Sequence, residues 1–310
     1  MQKKVFHQHT WDPALEDDCR QLVRLAVRED LDRGHDWTTI SLVPPDSQSV
    51  AEVVVRAEGV VSGLPAAQTA LCEMDTQIRW NALVEDGVAV RAGESIARLE
   101  GSTRDILTSE RIVLNFLGHL SGIATCTRDF VKEVVGTNAE IYDTRKTTPA
   151  WRRLEKYAVC CGGGKNHRTG LYDAILIKDN HLAFMDESRN EDFQSSLGNA
   201  CQQVREFLQR HPDCNANEMI VEVEVDDLSQ LQTILSAKPD IVLLDNMSPE
   251  LLREAVHLRD AESPEVMLEA SGGVALTSVA DIAETGVDRI SVGALTHAAP
   301  WLDVGLDWQA

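Results

Sequence analysis

Apolar positions recur along this chain in two rhythms, and the change from one to the other falls near Ile141. Leu15, Cys19, Leu22, Val23, Ala26 and Val27 lie at the three-and-four spacing of one helix face, behind the N-cap and first-turn pair Asp12-Pro13. This pattern predicts a helix over Pro13–Arg33, ended by Gly34. The valine-rich run AEVVVRAEGVV predicts strand over Val50–Val61, and Ile78–Leu99 reads as short β pieces with tight turns at Gly87 and Gly93. Ile106, Leu107, Val113, Leu114 and Leu117 then form the stripe of an amphipathic helix from Arg104 through Leu120.

From Ile141 onward short apolar runs alternate with helical stretches. The runs centre on Tyr142, Leu176, Val223, Val242, Leu268 and Ile290. Pro149 opens one helix, and Leu228–Ser236, Ser248–Leu258 and Leu276–Glu284 supply others. The last four centres lie 19, 26 and 22 residues apart, room for one helix each, as βα units require. Ile175-Leu-Ile-Lys-Asp-Asn and Val242-Leu-Leu-Asp-Asn echo one another as strands ending in Asp-Asn. Continuous apolar strands belong to a parallel sheet buried on both faces. The fold class is α/β, with a (β/α) barrel, complete or open, following an N-terminal domain. The acidic tract MDESRNED within Ala183–Asn217 reads as a solvated excursion beside a helix near Cys201–Arg210, and Pro300–Ala310 with its two Trp as a tail packing back on the N-terminal domain.

Composition narrows the function classes. With 43% apolar and 25% charged residues in 310, the chain is an ordinary globular protein, long enough for two domains or a barrel with an added one. No apolar run approaches the ~20 residues that span a bilayer, and MQKKVFHQHTWDP has no apolar signal region. The seven cysteines show no C-x-x-C spacing, so reduced thiols and a cytoplasmic location are expected. A net charge of −21 argues against nucleic acid or an anionic membrane as partner. Against that background, Arg145 to Lys178 holds eight Lys/Arg and only Glu155 and Asp173, a local +6. Arg152, Arg153 and Lys156 fit a solvated helix face. Arg145, Lys146, His167, Arg168 and Lys178 instead end apolar runs or stand beside glycines, as in an anion pocket.

In a (β/α) barrel the strand ends carry the chemistry. Here they carry Thr144-Arg145-Lys146, Lys178, Glu222 and Glu224 on one strand face, Asp245, then Glu269-Ala-Ser271-Gly272-Gly273 and Ser291-Val292-Gly293-Ala294. The two glycine-containing ends suit a phosphate held by backbone N–H groups. Glu224 and Asp245 suit Mg²⁺, and the cations suit a second, carboxylate-bearing anion. Gly162-Gly163-Gly164-Lys165 is no P-loop, since no Ser/Thr follows the lysine.

The motifs SER-x-x-LNFL-x-x-LSGIAT (109–125), DTRKTTP (143–149), GGG-x-NHR-x-GL (162–171), LIKDNH (176–181), VEVEV (221–225), LLDN (243–246), EASGG (269–273) and SVGALTH (291–297) resemble the quinolinate phosphoribosyltransferase family, over Trp11 to about Ala299. Two departures stand out: the longer acidic excursion after His181, and Ala150 where glycine is more usual. The resemblance implies an open (β/α) barrel with parallel strands over 121–297. It adds an N-terminal α+β domain over 1–120, joined by 298–310. It implies transfer of phosphoribosyl from phosphoribosyl pyrophosphate to quinolinate, releasing CO₂ and pyrophosphate and giving nicotinate mononucleotide for NAD synthesis. It implies that Arg145, Lys146, His167, Arg168 and Lys178, beside Thr144, contact the quinolinate carboxylates, with Arg111 supplied by the partner of a homodimer or higher oligomer. Glu224 and Asp245 would hold the ribose hydroxyls and Mg²⁺. Ser271, Gly272, Gly273, Val292, Gly293 and Ala294 would take the 5′-phosphate, with His297 close by. Catalytic roles fall to Lys146, Glu224 and Asp245.

Two rivals use the same residues. A Schiff-base aldolase or lyase on this barrel would use Lys146 or Lys178 as nucleophile. A related phosphoribosyltransferase would keep the phosphate site and take another acceptor.

Overall fold

The computed structural model describes residues 4–189, 193–211 and 217–309. Its elements in chain order are α1 (Pro13–Leu31), α2 (Trp37–Leu42), β1 (Gln48–Val55), β2 (Gly59–Val60), α3 (Leu64–Glu73), β3 (Ile78–Ala82), β4 (Ala89–Val90), β5 (Ser95–Ser102) and α4 (Thr103–Glu133). There follow β6 (Glu140–Tyr142), α5 (Arg152–Gly162), β7 (Ala174–Ile177), α6 (Asp179–Arg189), α7 (Phe193–Arg210), β8 (Ile220–Val225) and α8 (Leu228–Leu235). The chain ends with β9 (Ile241–Asp245), α9 (Pro249–Glu262), β10 (Met267–Ser271), α10 (Val279–Ala283), β11 (Arg289–Ser291), α11 (Ala294–His297) and β12 (Val304–Trp308). Two compact units result: a parallel unit of residues 1–7, 130–145 and 165–294, and an antiparallel unit of residues 8–129, 146–164 and 295–310. Against boundaries at 120/121 and 297/298 expected from sequence, the compact units divide at 129/130 and 294/295 and assign 146–164 to the antiparallel unit.

In the antiparallel unit a four-stranded sheet runs β12-β1-β5-β3. The C-terminal tail is its edge strand, with Ala51 opposite Trp308 and Val55 opposite Val304. Asp12 caps α1 as expected, accepting from the Leu15 N–H at 2.8 Å. The helix stops sooner than Gly34, because Asp32 itself takes a left-handed φ of 47°. The expected strand over Val50–Val61 is broken into β1 and β2, and Gly87 and Gly93 turn with φ of 89° and 88°. α4 runs 31 residues rather than ending at Leu120. Ser121-Gly122 looks like a stop in sequence, yet a Cβ on Gly122 would lie 2.2 Å from the Pro300 carbonyl oxygen. The glycine is there for the tail crossing α4. Pro149 does not open α5, because Ala150 follows it with φ 69° and the helix begins at Arg152.

The parallel unit is a six-stranded sheet in the order β6-β11-β10-β9-β8-β7. Each paired neighbour runs parallel, and among the described residues β6 and β7 do not pair, so the barrel is open there. Its strands carry the apolar runs read from sequence: Ile241 through Leu244 are all buried, and Ile220, Val221 and Val223 are buried around Glu222. The acidic tract begins inside α6, and residues 190–192 and 212–216 of the expected excursion lie outside the described residues.

Candidate active site

The parallel unit gathers most of the nominated residues at the C-terminal ends of its strands. Thr144 and Arg145 follow β6, Lys178 follows β7, Glu224 lies in β8, and Asp245 ends β9. Ser271 ends β10 with Gly272 and Gly273 after it, and Val292–Ala294 follow β11. Three nominated residues belong to the antiparallel unit. Arg111 stands on α4 with its side chain 66% exposed, 3.9 Å from Glu110. The carbonyl of Lys146 accepts from the Thr296 hydroxyl at 2.8 Å, and His297 is exposed at the end of α11.

The basic loop 165–173 is shaped by two aspartates that sequence reading left without a role. Buried Asp143 accepts from the Asn166 side chain at 2.7 Å and the His167 N–H at 2.8 Å. Asp173 accepts from the N–H groups of Thr169 at 2.7 Å and Gly170 at 3.1 Å. Lys165 N–H donates to the Ile141 carbonyl and Asp143 N–H to the Lys165 carbonyl, a single bridge laying the loop along β6. Arg168 is therefore delivered to a fixed place. Its Nη1 donates to the Ala174 carbonyl at 3.2 Å, and burial together with the charge of Arg145 holds the guanidinium below its ordinary pKa. Two like charges kept close in a partly buried site favour an anion between them.

His167 heads a buried ion network. Its Nε2 lies 3.1 Å from Glu222 and 3.3 Å from Glu269, and Glu269 reaches Arg289 at 3.2 Å. Arg289 stacks over Tyr142, 3.7 Å from the ring centroid. Burial opposes charge on His167 and the two glutamates favour it, but Nδ1 accepts the Arg168 N–H, which only the uncharged ring can do, so the geometry keeps the ring neutral. Burial alone would raise Glu269, whereas His167 and Arg289 hold its carboxyl well below the usual range. The three groups are close enough to hold a metal ion. The tautomer argues otherwise: Nδ1 accepts the Arg168 N–H at 2.8 Å, so the ring proton sits on Nε2, facing the carboxylates. The cluster is built around a proton and Arg289. As seated, both ring nitrogens of His167 are engaged inside the protein. Glu222, expected on one face with Glu224, does share it but serves this buried layer. The strand alternation was the legible signal for Glu222; Arg289 had none.

Nearer solvent, the Lys178 ammonium pairs with the Glu224 carboxylate. His181 caps the turn, its Nδ1 accepting from the Lys178 N–H at 2.9 Å. An engaged ammonium is not presented as a free nucleophile, which counts against the Schiff-base reading of Lys178. Burial and the charges of Asp245 and Asp179 raise the carboxyl of Asp226. Oxygen donors therefore crowd the ends of β8 and β9, and hard carboxylates close enough to repel fit a hard divalent cation. Beyond β10, Gly272 adopts φ 92° and a Cβ there would lie 2.3 Å from Asn246 Oδ1. Asn246 in turn donates its N–H to the Ser271 carbonyl at 2.9 Å. This tight pair shapes the turn expected to meet a phosphate. A cavity of about 400 Å³ in the antiparallel unit, lined by Phe116, His119, Trp151 and Trp301 among others, includes none of the nominated residues.

Comparison with known proteins bears on this arrangement. Residues 36–121 match the family described as the N-terminal domain of quinolinate phosphoribosyl transferase, and residues 123–307 match the description of its C-terminal domain. A nicotinate-nucleotide pyrophosphorylase [carboxylating] of Mycobacterium leprae is 42% identical over 94% of this chain and 97% of its own length. A protein of Bacillus subtilis named as a probable enzyme of the same kind is 37% identical over 93% of this chain and 92% of its own. The solved nicotinate-nucleotide pyrophosphorylase of Francisella tularensis superposes with a TM-score of 0.86 at 37% identity, covering 98% of this chain and 100% of that one.

Proposed function

We propose how the strand-end residues divide the work, from the premise that this chain belongs to the quinolinate phosphoribosyltransferase family. It is an enzyme of NAD biosynthesis that transfers phosphoribosyl from phosphoribosyl pyrophosphate to quinolinate with loss of CO₂, giving nicotinate mononucleotide and pyrophosphate. The observation that carries the site reading is the anchored loop that fixes Arg168, its Nη1 on the Ala174 carbonyl at 3.2 Å, in the same unit as Arg145 beyond the end of β6; burial and the Arg145 charge hold Arg168 below its ordinary value. Quinolinate has two adjacent carboxylates, and fixed guanidiniums suit such a dianion through their paired donors.

In this reading Arg145 and Arg168 hold the carboxylates beside Thr144, His167 supports them from behind, and Arg111 arrives from the partner of a homodimer. Ser271–Gly273 and Val292–Ala294 hold the 5′-phosphate through backbone N–H groups, near His297. Glu224 and Asp245 hold the ribose hydroxyls and would hold Mg²⁺. Bound there, the ion supplies positive charge to the departing pyrophosphate. The carboxylates also favour the oxocarbenium-like charge that builds on the ribose as the ring nitrogen attacks C1. Lys146 or Lys178 offers an ammonium group to the leaving group. Quaternised, the ring nitrogen stabilises the carbanion left as CO₂ departs, a proton from solvent then fills that ring position, and no side-chain nucleophile takes part. Among the described residues no helix is long and apolar enough to cross a membrane, and none of the six described cysteines is in a disulfide. Product analysis with quinolinate, phosphoribosyl pyrophosphate and Mg²⁺, beside nicotinate as control acceptor, tests the reading. Nicotinate mononucleotide is expected from quinolinate only.

A further inference from the structure

The parallel unit contains a piece of chain from far outside the barrel sequence. Lys4 Nζ donates to the Met219 carbonyl at 2.7 Å and to Asp240 at 3.1 Å, the residues just before β8 and β9. Asp240 also accepts the Val221 N–H at 2.8 Å, so the arm is tied to a carboxylate that already staples two strands. Two residues on, Phe6 is 3% exposed and shares one buried cluster with Tyr142, Ala174, Ile220 and Ile241, with Met267 packed against it. Ala174, Ile220, Ile241 and Met267 are the first residues of β7, β8, β9 and β10. Phe6 therefore fills the barrel at the strand starts, the end opposite the active-site loops.

What lies on Phe6 is the ion network. Its ring packs against the His167 ring at 4.4 Å and 31°, and the Arg289 guanidinium sits 4.7 Å above its centroid. The network is thus floored by an aromatic face and stacked as Phe6, then His167 with Arg289, then Glu222 with Glu269. Both matched family domains begin after this arm, at residues 36 and 123.

We infer that the N-terminal arm is a plug whose Phe6 is a positioning residue for the acceptor site. It acts through His167, whose Nδ1 bond sets the backbone of Arg168. This rests on the reading that Arg168 receives quinolinate. Without the ring, water reaches the glutamates, His167 gains room to turn, and Arg168 loses its fixed approach. The phosphate loops are held separately, by Asn246 N–H to the Ser271 carbonyl and Val292 N–H to the Tyr142 carbonyl, so they feel the loss less.

The test compares wild type, Phe6→Ala and Phe6→Leu in the full chain, by calorimetric quinolinate affinity, KM for each substrate, and melting temperature. Phe6→Ala should weaken quinolinate about tenfold while the phosphoribosyl pyrophosphate KM stays within about twofold. Phe6→Leu, which refills the volume without an aromatic face, should fall between the two and also decides the matter if Phe6→Ala does not fold. Folded variants that bind quinolinate like wild type, or that lose both substrates equally, overturn the plug as a positioning element. Wild type that binds no quinolinate instead overturns the site reading, and the inference with it.

Discussion

Lys178 and Glu224 are ion-paired across the ends of two neighbouring parallel strands. The register makes this pair: Leu176 lies beside Glu222 and Ile177 beside Val223, and the next step sets Lys178 beside Glu224. By sequence the lysine belongs to a cationic wall and the glutamate to a metal-and-ribose group. In the folded protein the two groups meet.

Glu224→Gln and Asp245→Asn should each lower kcat/KM by about 10² or more; the melting temperature of Asp245→Asn should stay level or rise, since Asp245 and Asp226 repel one another, whereas Glu224→Gln gives up the pair with Lys178 and should not gain stability. Steady-state kinetics across a Mg²⁺ series checks this. Near-normal turnover of both variants at saturating Mg²⁺ would remove them from the chemistry.

Acceptor choice should follow charge. An unpaired cation in a desolvated site costs on the order of 2–5 kcal/mol, so nicotinate should be used at least about 30-fold less efficiently than quinolinate. Competing-substrate assays give the ratio directly, and parity would contradict the arginine assignment.

Arg111 should act in trans. Its side chain is 66% exposed on α4, and isologous dimers let a residue complete the neighbouring site. Arg111→Ala and Lys146→Ala should each be nearly inactive. Mixed one to one with verified subunit exchange, they should regain about a quarter of wild-type activity, because each hybrid dimer has one intact site. No recovery would return Arg111 to its own subunit.

Ala150 is an exposed residue with φ 69°, a conformation that costs an L-residue about 1–2 kcal/mol and glycine little. Ala150→Gly should raise stability by up to about 1 kcal/mol, the remainder being offset by the freer unfolded chain. A denaturant midpoint that moves down would show that this turn is not strained.

Glu269 titrates below its ordinary 4.5 in the folded state, under the influence of His167 and Arg289. Its contribution to stability is present above pH 4.5 and is lost as pH falls toward the folded value. Glu269→Gln should therefore be less stable than wild type near neutrality, and its stability should fall less steeply between pH 4.5 and acid unfolding. Parallel acid limbs for the two proteins would deny the buried network that role.

Local rules made much of this protein legible from its residues. Strand periodicity, the spacing of the last four runs and the rule that barrel chemistry sits at strand ends brought Arg145, Lys178, Glu224, Asp245 and Gly272 to one end of one sheet. Each of those inferences needs only a side-chain period and a chain direction. Tertiary structure decided everything that depends on register and on distant segments. It paired Lys178 with Glu224, sank Glu222 into a layer with Glu269 and Arg289, turned both nitrogens of His167 inward, and set Phe6 beneath them. It also carried α4 past Gly122, because the partner that needs that glycine, Pro300, lies 178 residues later in the chain. A period of two says which face a strand residue takes, but its neighbour on that face is set by strand order and register, which no local pattern encodes.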